Sequence, residues 1–539
     1  MSKRPASEAL DELSGVGSPA SKKSRLDDGP TELSNGRLNG GSATPDQRDK
    51  ADENDGFDDE DDTPERAPLR QSAPTAGYDD LYLDTIDRNV LDFDFEKLCS
   101  ISLSNINVYA CLVCGRYYQG RGPKSHAYFH ALDENHHVFI NMETQKVFVL
   151  PEGYEVKSKS LEDIKYVSDP RYSKQEVMEL DRKPRSAWTL GGKEYAPGYV
   201  GMNNIKENDY LNVVVQALSH VPPLRNYLLL EDLSARSELV KRCSILFRKI
   251  WNPRAFKNHV SPHELLQEIS LRSNKRYTLT AQSDPVEFLS WFLNNLHLGL
   301  GGSKTKPGSS IVQRIFQGKL KAESQDITAR ADVGDRLRFE EAAEVKTDIN
   351  RFLLLTLDLP AAPLFQDELE RNIIPHVPLT TILSKYDGVK AQEHLAQRKR
   401  YRLMHPLPPY LIFHIKRFST NKFVSERNPT IVTFDARNLD VSPYVEPNPA
   451  EHTPGEPIWY DLVANVIHEA VRAKEDVADS GEERKTWKVQ LRDKGRDEWV
   501  TCQDLFVEKT QKELLYLGES YLQIWERRRD PKAKGKGKA

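Results

Sequence analysis

The 539-residue chain has only five cysteines: Cys99, Cys111, Cys114, Cys243 and Cys502. Small secreted domains held together by disulfides carry cysteines at a far higher density, so this content favours a reducing compartment. The first three cysteines lie within a span of sixteen residues, and such clustering indicates a metal site more than a disulfide framework. The other two stand alone, and we expect them to be buried structural thiols.

Long hydrophobic runs are also absent. No stretch reaches the roughly 18 consecutive apolar residues that a membrane-spanning helix needs, and Met1–Pro5 contains no apolar signal core. The formal net charge of -5 is small for this length, so composition gives no global signal for nucleic-acid binding. We therefore expect a protein that neither spans a membrane nor is secreted by a standard signal, while direct contact with RNA stays open.

The two ends of the chain have compositions that do not support a core. Residues 1–78 are rich in Ser, Gly, Pro, Asp and Lys with very few aromatic residues, which predicts a disordered tail. Within it, Pro19–Arg25 is typical of a nuclear localisation signal, although a solvated basic patch has the same composition. Asp52–Glu65 carries nine acids and no base, which predicts an extended acidic linker. A short basic tail covers 529–539, and the expected location is the nucleus.

Soft metal ligands are concentrated in a first folded unit, predicted over residues 79–170. Its Cys-x2-Cys knuckle lets two thiolates reach one tetrahedral zinc, and a histidine from a helix start can complete the shell. Buried thiols beside surface histidines are the alternative without a metal. We predict one structural zinc ion, held by Cys99, Cys111, Cys114 and His126. His130 or His136 is an alternative ligand for one of these four places.

A connector over residues 171–196 leads to a second, longer unit over 197–528. Hydrophobic periodicity predicts helices near 209–218, 235–251, 261–272 and 284–298. Strand patterns dominate from Phe352 onward. The predicted fold class is α+β.

The stretch Gly201–Leu218 resembles the nucleophile box of the ubiquitin-specific proteases, a family of papain-like cysteine proteases. Gln282–Leu289 and Leu407–Phe418 are similar to two further blocks of that family, and the cysteine and histidine pattern of the first unit is similar to its zinc finger. The resemblance implies a UBP-type zinc finger followed by an α+β ubiquitin-specific-protease domain. The residues in register with the nucleophile box are Asn204, Tyr210, Asn212, Gln216 and Leu218.

The same resemblance places unsuitable residues at all three catalytic positions. Asp209 stands in place of the nucleophile, Thr486 in place of the general base and Gln503 in place of the residue that orients the base. A carboxylate attacks amides poorly, and a threonine hydroxyl cannot accept a proton near neutral pH. Only Asp504 and the oxyanion-type Asn204 persist. We expect a pseudo-deubiquitinase without the Cys/His/Asp triad, with an active isopeptidase that uses an unusual nucleophile as the alternative.

Four further phrases resemble the snRNP-assembly-defective splicing factors, a family of inactive ubiquitin-specific-protease homologues of the tri-snRNP. These phrases are Leu91–Ser104, Asn203–Lys206, Pro222–Tyr227 and Trp251–Arg254. The resemblance implies a non-catalytic pre-mRNA splicing factor that assembles or stabilises the U4/U6.U5 tri-snRNP through contacts with spliceosomal proteins.

A non-cleaving ubiquitin receptor is the alternative function. Two sequence features argue against ubiquitin binding. The aromatic pair that clamps the ubiquitin tail in competent zinc fingers is replaced near Phe148 and Leu150, and residues 318–350 contain no cysteine for the second zinc site of the family.

Overall fold

The computed structural model of the protein describes residues 81–331, 337–341, 344–361, 374–394, 397–420, 425–453, 455–471 and 484–528. The predicted nuclear signal, acidic linker and basic tail lie outside these residues. Within the described ranges, no helix is both long and apolar enough to cross a membrane.

A five-stranded antiparallel sheet with one helix beside it forms the first folded unit. Its elements are β1 (Val108–Cys111), β2 (Tyr117–Gln119), α1 (His126–Asp133), β3 (Val138–Asn141), β4 (Val147–Val149) and β5 (Tyr154–Val156), followed by α2 (Glu162–Ser168) and α3 (Lys174–Glu179). The strand order is β2-β1-β3-β4-β5. Ser125 begins α1 as its N-cap, since its side chain accepts a hydrogen bond from the Tyr128 N–H.

The second unit opens with a helical layer. It contains the short strands β6 (Ala187–Trp188), β7 (Glu194–Tyr195), β8 (Gly201–Met202) and β9 (His259–Val260), and the helices α4 (Asp209–Ser219), α5 (Pro222–Leu230), α6 (Glu238–Ile250), α7 (His263–Arg272), α8 (Pro285–Gly299) and α9 (Ile311–Phe316). Every residue of α4 is buried. Polar side chains of the helix find partners inside the protein: Gln216, for example, donates to the Val200 carbonyl at 3.1 Å, and Asn212 donates to Asp504 at 3.1 Å.

Strands follow the helical layer. They are β10 (Gly318–Ala331), β11 (Leu337–Glu341), β12 (Lys346–Phe352), β13 (Leu355–Asp358), β14 (His376–Pro378), β15 (Gln392–His394), β16 (Gln397–Met404), β17 (Tyr410–Lys416), β18 (Phe418–Thr420), β19 (Ser425–Arg427), β20 (Ile431–Thr433), β21 (Leu439–Asp440), β22 (Trp459–Val471), β23 (Arg484–Asp493), β24 (Glu498–Gln503), β25 (Phe506–Thr510) and β26 (Glu519–Arg527), with the helix α10 (Leu379–Leu383) between β14 and β15.

Two larger sheets organise these strands. The central sheet has the order β13-β17-β26-β22-β23-β24-β25, with β21 paired to β22. The finger sheet has the order β11-β10-β16-β15, with β12 paired to β10. The main core lies where α4 packs on β22 and β23, with α8 packed against α4 and α6 against α8. The predicted α+β class is confirmed, and the N-terminus of α4 points at the central sheet.

A buried cluster of ion pairs attaches the zinc-finger unit to the helical layer. Lys249 lies 3.0 Å from Asp94, and Lys257 bridges Asp94 at 2.9 Å and Asp92 at 2.7 Å. The Ser261 N–H also donates to Asp94 at 3.1 Å. Burial alone would raise the pKa of Asp94, but the two ammonium groups and their hydrogen bonds lower it to about 2.

Candidate metal centre and degenerate catalytic cleft

The Cys111–Cys114 knuckle is a tight turn after β1. The Gly115 N–H donates to the Cys111 carbonyl at 2.9 Å, and the Cys111 N–H donates to the Arg116 carbonyl at 2.8 Å. Gly115 has a φ of +74°, and a Cβ there would lie 2.5 Å from the Val90 carbonyl oxygen. Glycine is therefore required for the turn that aims both thiols the same way.

Two histidines meet this knuckle. The His130 Nε2 lies 3.4 Å from the Cys114 Sγ and 3.0 Å from the His136 Nδ1. One ligand atom from each of Cys111, Cys114, His130 and His136 lies within 4.8 Å of all the others. A tetrahedral zinc with bonds of about 2.0–2.3 Å separates its ligand atoms by about 3.3–3.8 Å. A donor set of two thiols and two imidazoles at these separations fits zinc.

The pKa of the Cys114 thiol also suits a metal site. The hydrogen bond from the Cys111 thiol lowers the pKa of Cys114, and donors on Arg116, His136 and His130 act in the same direction against the effect of burial. The pKa of Cys111 is raised by the same hydrogen bond. A divalent cation would displace the remaining proton, because zinc binds thiolates and neutral imidazoles.

The candidate metal group differs from the expected zinc shell at two members. Cys99 and His126 lie outside the group, and both competing histidines, His130 and His136, lie inside it. His126 is the first residue of α1, whereas His130 lies one turn later on the same face, where the helix reaches the knuckle. Cys99 is buried within its own loop, where its Sγ accepts from the Ser102 N–H at 3.4 Å.

Asp209, which the motifs predict at the nucleophile position, is the first residue of α4 and is 4% exposed. The Gln282 side-chain amide lies 3.0 Å from each carboxylate oxygen. The backbone N–H groups of Tyr210 and Trp487 donate to the carboxylate at 2.9 and 3.2 Å. Burial raises the pKa of Asp209, and these hydrogen bonds oppose the rise. The carboxylate is thus an acceptor that ties α4 to the loop before α8 and to β23.

Thr486, which the motifs predict at the general-base position, directly precedes Trp487, whose N–H donates to Asp209. It belongs to β23 and is the cross-strand partner of Glu469 on β22. Gln503 ends β24 opposite Phe506. Thr486 is therefore adjacent in sequence to a residue that contacts Asp209. Gln503 is adjacent in sequence to Asp504, which contacts Asn204 and Asn212.

Asp504 holds the asparagines of the nucleophile box. Its carboxylate accepts from the Asn204 and Asn212 side-chain amides, each at 3.1 Å. The Asn208 amide donates to Asn212 at 3.0 Å, and the Asn208 N–H donates to the Asn204 side chain at 3.1 Å. Asn204, expected as an oxyanion donor, is therefore engaged within the protein. Sequence reasoning missed the role of Asn208, although the asparagines at 204, 208 and 212 recur every four residues.

Aromatic side chains surround Trp487. Its ring centroid lies 4.8 Å from that of Tyr521 and 5.1 Å from that of His468, and Phe418 packs 5.1 Å from His468. The Nδ1 of His468 lies 3.3 Å from a Glu519 carboxylate oxygen. His468 therefore has Glu519 as its polar partner and packs among these aromatic rings.

The remaining thiols are unsuited to catalysis. Cys243 and Cys502 are buried, and burial raises the pKa of both, that of Cys502 to about 12. Thiolate is the reactive form of cysteine, so neither residue offers a nucleophile near neutral pH.

Comparison with known proteins agrees with this architecture. Residues 200–528 match the family model for ubiquitin carboxyl-terminal hydrolase. Residues 99–161 match the model for the zinc finger in ubiquitin hydrolases and other proteins. The chain is similar to a solved structure described as an essential yeast splicing factor, with 31% identity and a TM-score of 0.67, covering 83% of this chain and 100% of that one.

Curated relatives match over most of their length. The chain is 53% identical over 450 residues to the Probable mRNA-splicing protein ubp10 of Schizosaccharomyces pombe, covering 83% of this chain and 88% of that protein. It is 46% identical to Ubiquitin carboxyl-terminal hydrolase 39 of Homo sapiens, covering 83% and 80%, and 32% identical to Pre-mRNA-splicing factor SAD1 of Saccharomyces cerevisiae, covering 83% and 93%. The chain therefore belongs to the ubiquitin carboxyl-terminal hydrolase family, within a group whose members include proteins named as splicing factors, and it carries the zinc finger of that family.

Proposed function

We propose that this protein is a non-catalytic pre-mRNA splicing factor of the nucleus that assembles or stabilises the U4/U6.U5 tri-snRNP through protein contacts. The names of the relatives support the splicing role. The observation that carries the absence of catalysis is the state of Asp209, a buried carboxylate with donors on Gln282, Tyr210 and Trp487. A group held in this way lacks both the nucleophilicity and the freedom to attack a carbonyl.

The test of the missing chemistry is reaction with an electrophilic ubiquitin probe. We expect no labelling of the protein, and none of an Asp209→Cys variant, because Thr486 cannot deprotonate the thiol. Labelling of the unchanged protein that disappears on mutation of one cysteine would contradict the proposal.

We further propose that one structural zinc ion is held by Cys111, Cys114, His130 and His136. The cluster geometry and the zinc-finger match support this assignment. Zinc supplies a cross-link here. It would join the knuckle after β1 to the end of α1 and to the loop that follows, and so fix the helix on the sheet. The domain limits that we propose are 79–170 for the zinc finger, 171–196 for the connector and 197–528 for the protease-like domain.

A ubiquitin receptor remains the second candidate, and the zinc-finger surface argues against it. Phe148 and Leu150 are buried, and the Arg121 guanidinium lies 4.5 Å above the Phe148 ring. Phe148 is thus covered by the protein's own side chain. Purification from nuclear extract separates the two functions, because a splicing factor retains spliceosomal RNAs and proteins and a receptor retains ubiquitin conjugates.

A further inference from the structure

A groove of about 540 Å³ lies among the end of β20, the strand β21 and the first turn of α10. Its walls carry four large apolar or aromatic side chains: Leu379, Phe434, Tyr444 and Tyr516. Two carboxylates, Asp435 and Asp440, also line the groove, and no basic residue is among the described residues that do so. Aromatic rings attract cations, and carboxylates pair with them, while the apolar walls suit a hydrocarbon stem. This combination favours a lysine side chain as the ligand.

The protein's own contacts leave both carboxylates with room for a cation. The Asp435 side chain is 69% exposed, and its ion-pair partner Lys512 lies 3.9 Å away. An exposed pair of this kind contributes little. Asp440 accepts hydrogen bonds from the N–H and hydroxyl of Ser442 and from the Ile458 N–H, and it has no ion-pair partner among the described residues.

The C-terminal end of the described chain lies at the rim of this groove. Arg528 is the last residue that the structure describes. Its N–H donates to the Trp459 carbonyl at 2.9 Å, and Trp459 is directly opposite Asp440 in the pairing of β22 with β21. Its guanidinium donates at 2.8 Å to Asn438, which lines the groove, and at 2.7 Å to Asp461. The residues that follow Arg528 therefore start beside the groove.

The sequence after Arg528 has a pattern that matches this chemistry. Lysine occupies every second position from 532 to 538, and only Ala533, Gly535 and Gly537 stand between the lysines. Alternate residues of an extended segment project to the same side, about 6.6–6.8 Å apart, so the lysines can form one row. Residues 529–539 span up to about 36 Å when extended, which is ample to cross a groove of this volume.

We propose that the groove binds the chain's own segment 529–539, with its lysines in contact with Asp435, Asp440 and the aromatic walls. Tethering makes this contact intramolecular. A short linker gives an effective concentration in the millimolar range, so individually weak ion pairs suffice to keep the groove occupied. The bound segment closes the groove to other lysine-rich ligands. This inference goes beyond the proposed splicing role and does not depend on it.

The test measures how tightly a fluorescent peptide with the sequence of residues 529–539 binds to two full-length proteins at physiological ionic strength. One is the unchanged protein, and the other carries Lys532→Gln, Lys534→Gln, Lys536→Gln and Lys538→Gln. We expect the peptide to bind the glutamine variant at least about tenfold more tightly, because the segment of the unchanged protein competes for the groove. Adding Asp435→Lys to the glutamine variant should weaken binding about tenfold, since repulsion replaces attraction.

The matched control adds Glu162→Lys to the same glutamine variant. The Glu162 side chain is 70% exposed and pairs with Lys165 at 3.6 Å, which resembles the state of Asp435. This change should alter the affinity less than about twofold. If the protein with Asp435→Lys does not fold, Asp435→Asn carries the test with an expected loss of about threefold.

A second peptide of the same composition, with its lysines contiguous, should bind more weakly than the alternating one. Four results would overturn the proposal. They are no binding of the alternating peptide, equal affinity for the unchanged protein and the glutamine variant, equal losses at Asp435 and Glu162, and competition that grows with protein concentration, which would mark the segment of a second copy.

Discussion

At the scale of single residues, two buried carboxylates organise the region where the motifs predict a protease cleft. Asp209 accepts hydrogen bonds from Gln282, Tyr210 and Trp487, and Asp504 accepts from Asn204 and Asn212. Both carboxylates connect segments that are distant in sequence. These contacts stabilise the fold, so Asp209 has a structural role.

This role predicts the effect of two substitutions at Asp209. Asp209→Ala leaves the Trp487 N–H and the Gln282 amide without their acceptor and should lower the free energy of unfolding by about 1–3 kcal/mol. Asp209→Asn keeps one acceptor oxygen and should cost less. Glu231→Ala, at the exposed end of α5, is the control and should change little. Chemical denaturation measures all three, and equal stability of the alanine variant and the control would contradict the structural role.

At the scale of elements, the position of α1 decides which histidines reach the knuckle. His126 and His130 lie one turn apart on the same helix, so their spacing alone does not tell which one faces the thiols. The direction in which α1 runs from its Ser125 cap brings its later turn to Cys114. The choice therefore depends on tertiary packing, which the sequence pattern does not contain.

Zinc content tests this choice. His130→Ala and His136→Ala should each lower the bound zinc and destabilise the zinc finger, since structural zinc contributes on the order of 10 kcal/mol to the folding of small modules. His126→Ala is the matched control and should retain one zinc per chain. Elemental analysis with thermal melting makes the measurement. Zinc loss in His126→Ala with full retention in His130→Ala would restore the original assignment.

The junction between the zinc finger and the helical layer should respond to acid. An aspartate whose pKa is lowered on folding stabilises the protein above its unfolded pKa and loses this contribution as the pH falls. The stabilisation that Asp94 contributes should therefore be lost as the pH falls from about 4 to about 2.

At neutral pH the contribution of Asp94 amounts to about 2 kcal/mol. Asp94→Asn should therefore be destabilised by at least this amount at pH 7, and its difference from the unchanged protein should shrink below pH 4. Denaturation curves of both proteins across this range provide the test, and a difference that grows as the pH falls would refute the assigned sign.

At the scale of the whole molecule, much of the architecture could be predicted. Helices predicted at 209–218 and 284–298 are observed at Asp209–Ser219 and Pro285–Gly299, because their apolar periodicity and their starting residues are local signals. The hydrogen bonds from Asp504 to Asn204 and Asn212 could not be predicted, since they join residues about 300 positions apart. Contacts of that range depend on how the central sheet meets the helical layer.

The central claim is that a protease fold without its chemistry acts through its surfaces in tri-snRNP assembly. The most direct measurement is the amount of intact U4/U6.U5 tri-snRNP in extracts depleted of the protein and then supplied with either the unchanged protein or Asp209→Asn. The Asn variant preserves the shape at the nucleophile position and removes its charge. We predict that depletion lowers tri-snRNP and that both proteins restore it equally. Unchanged tri-snRNP after depletion, or restoration by the unchanged protein alone while the folded variant fails, would contradict the account.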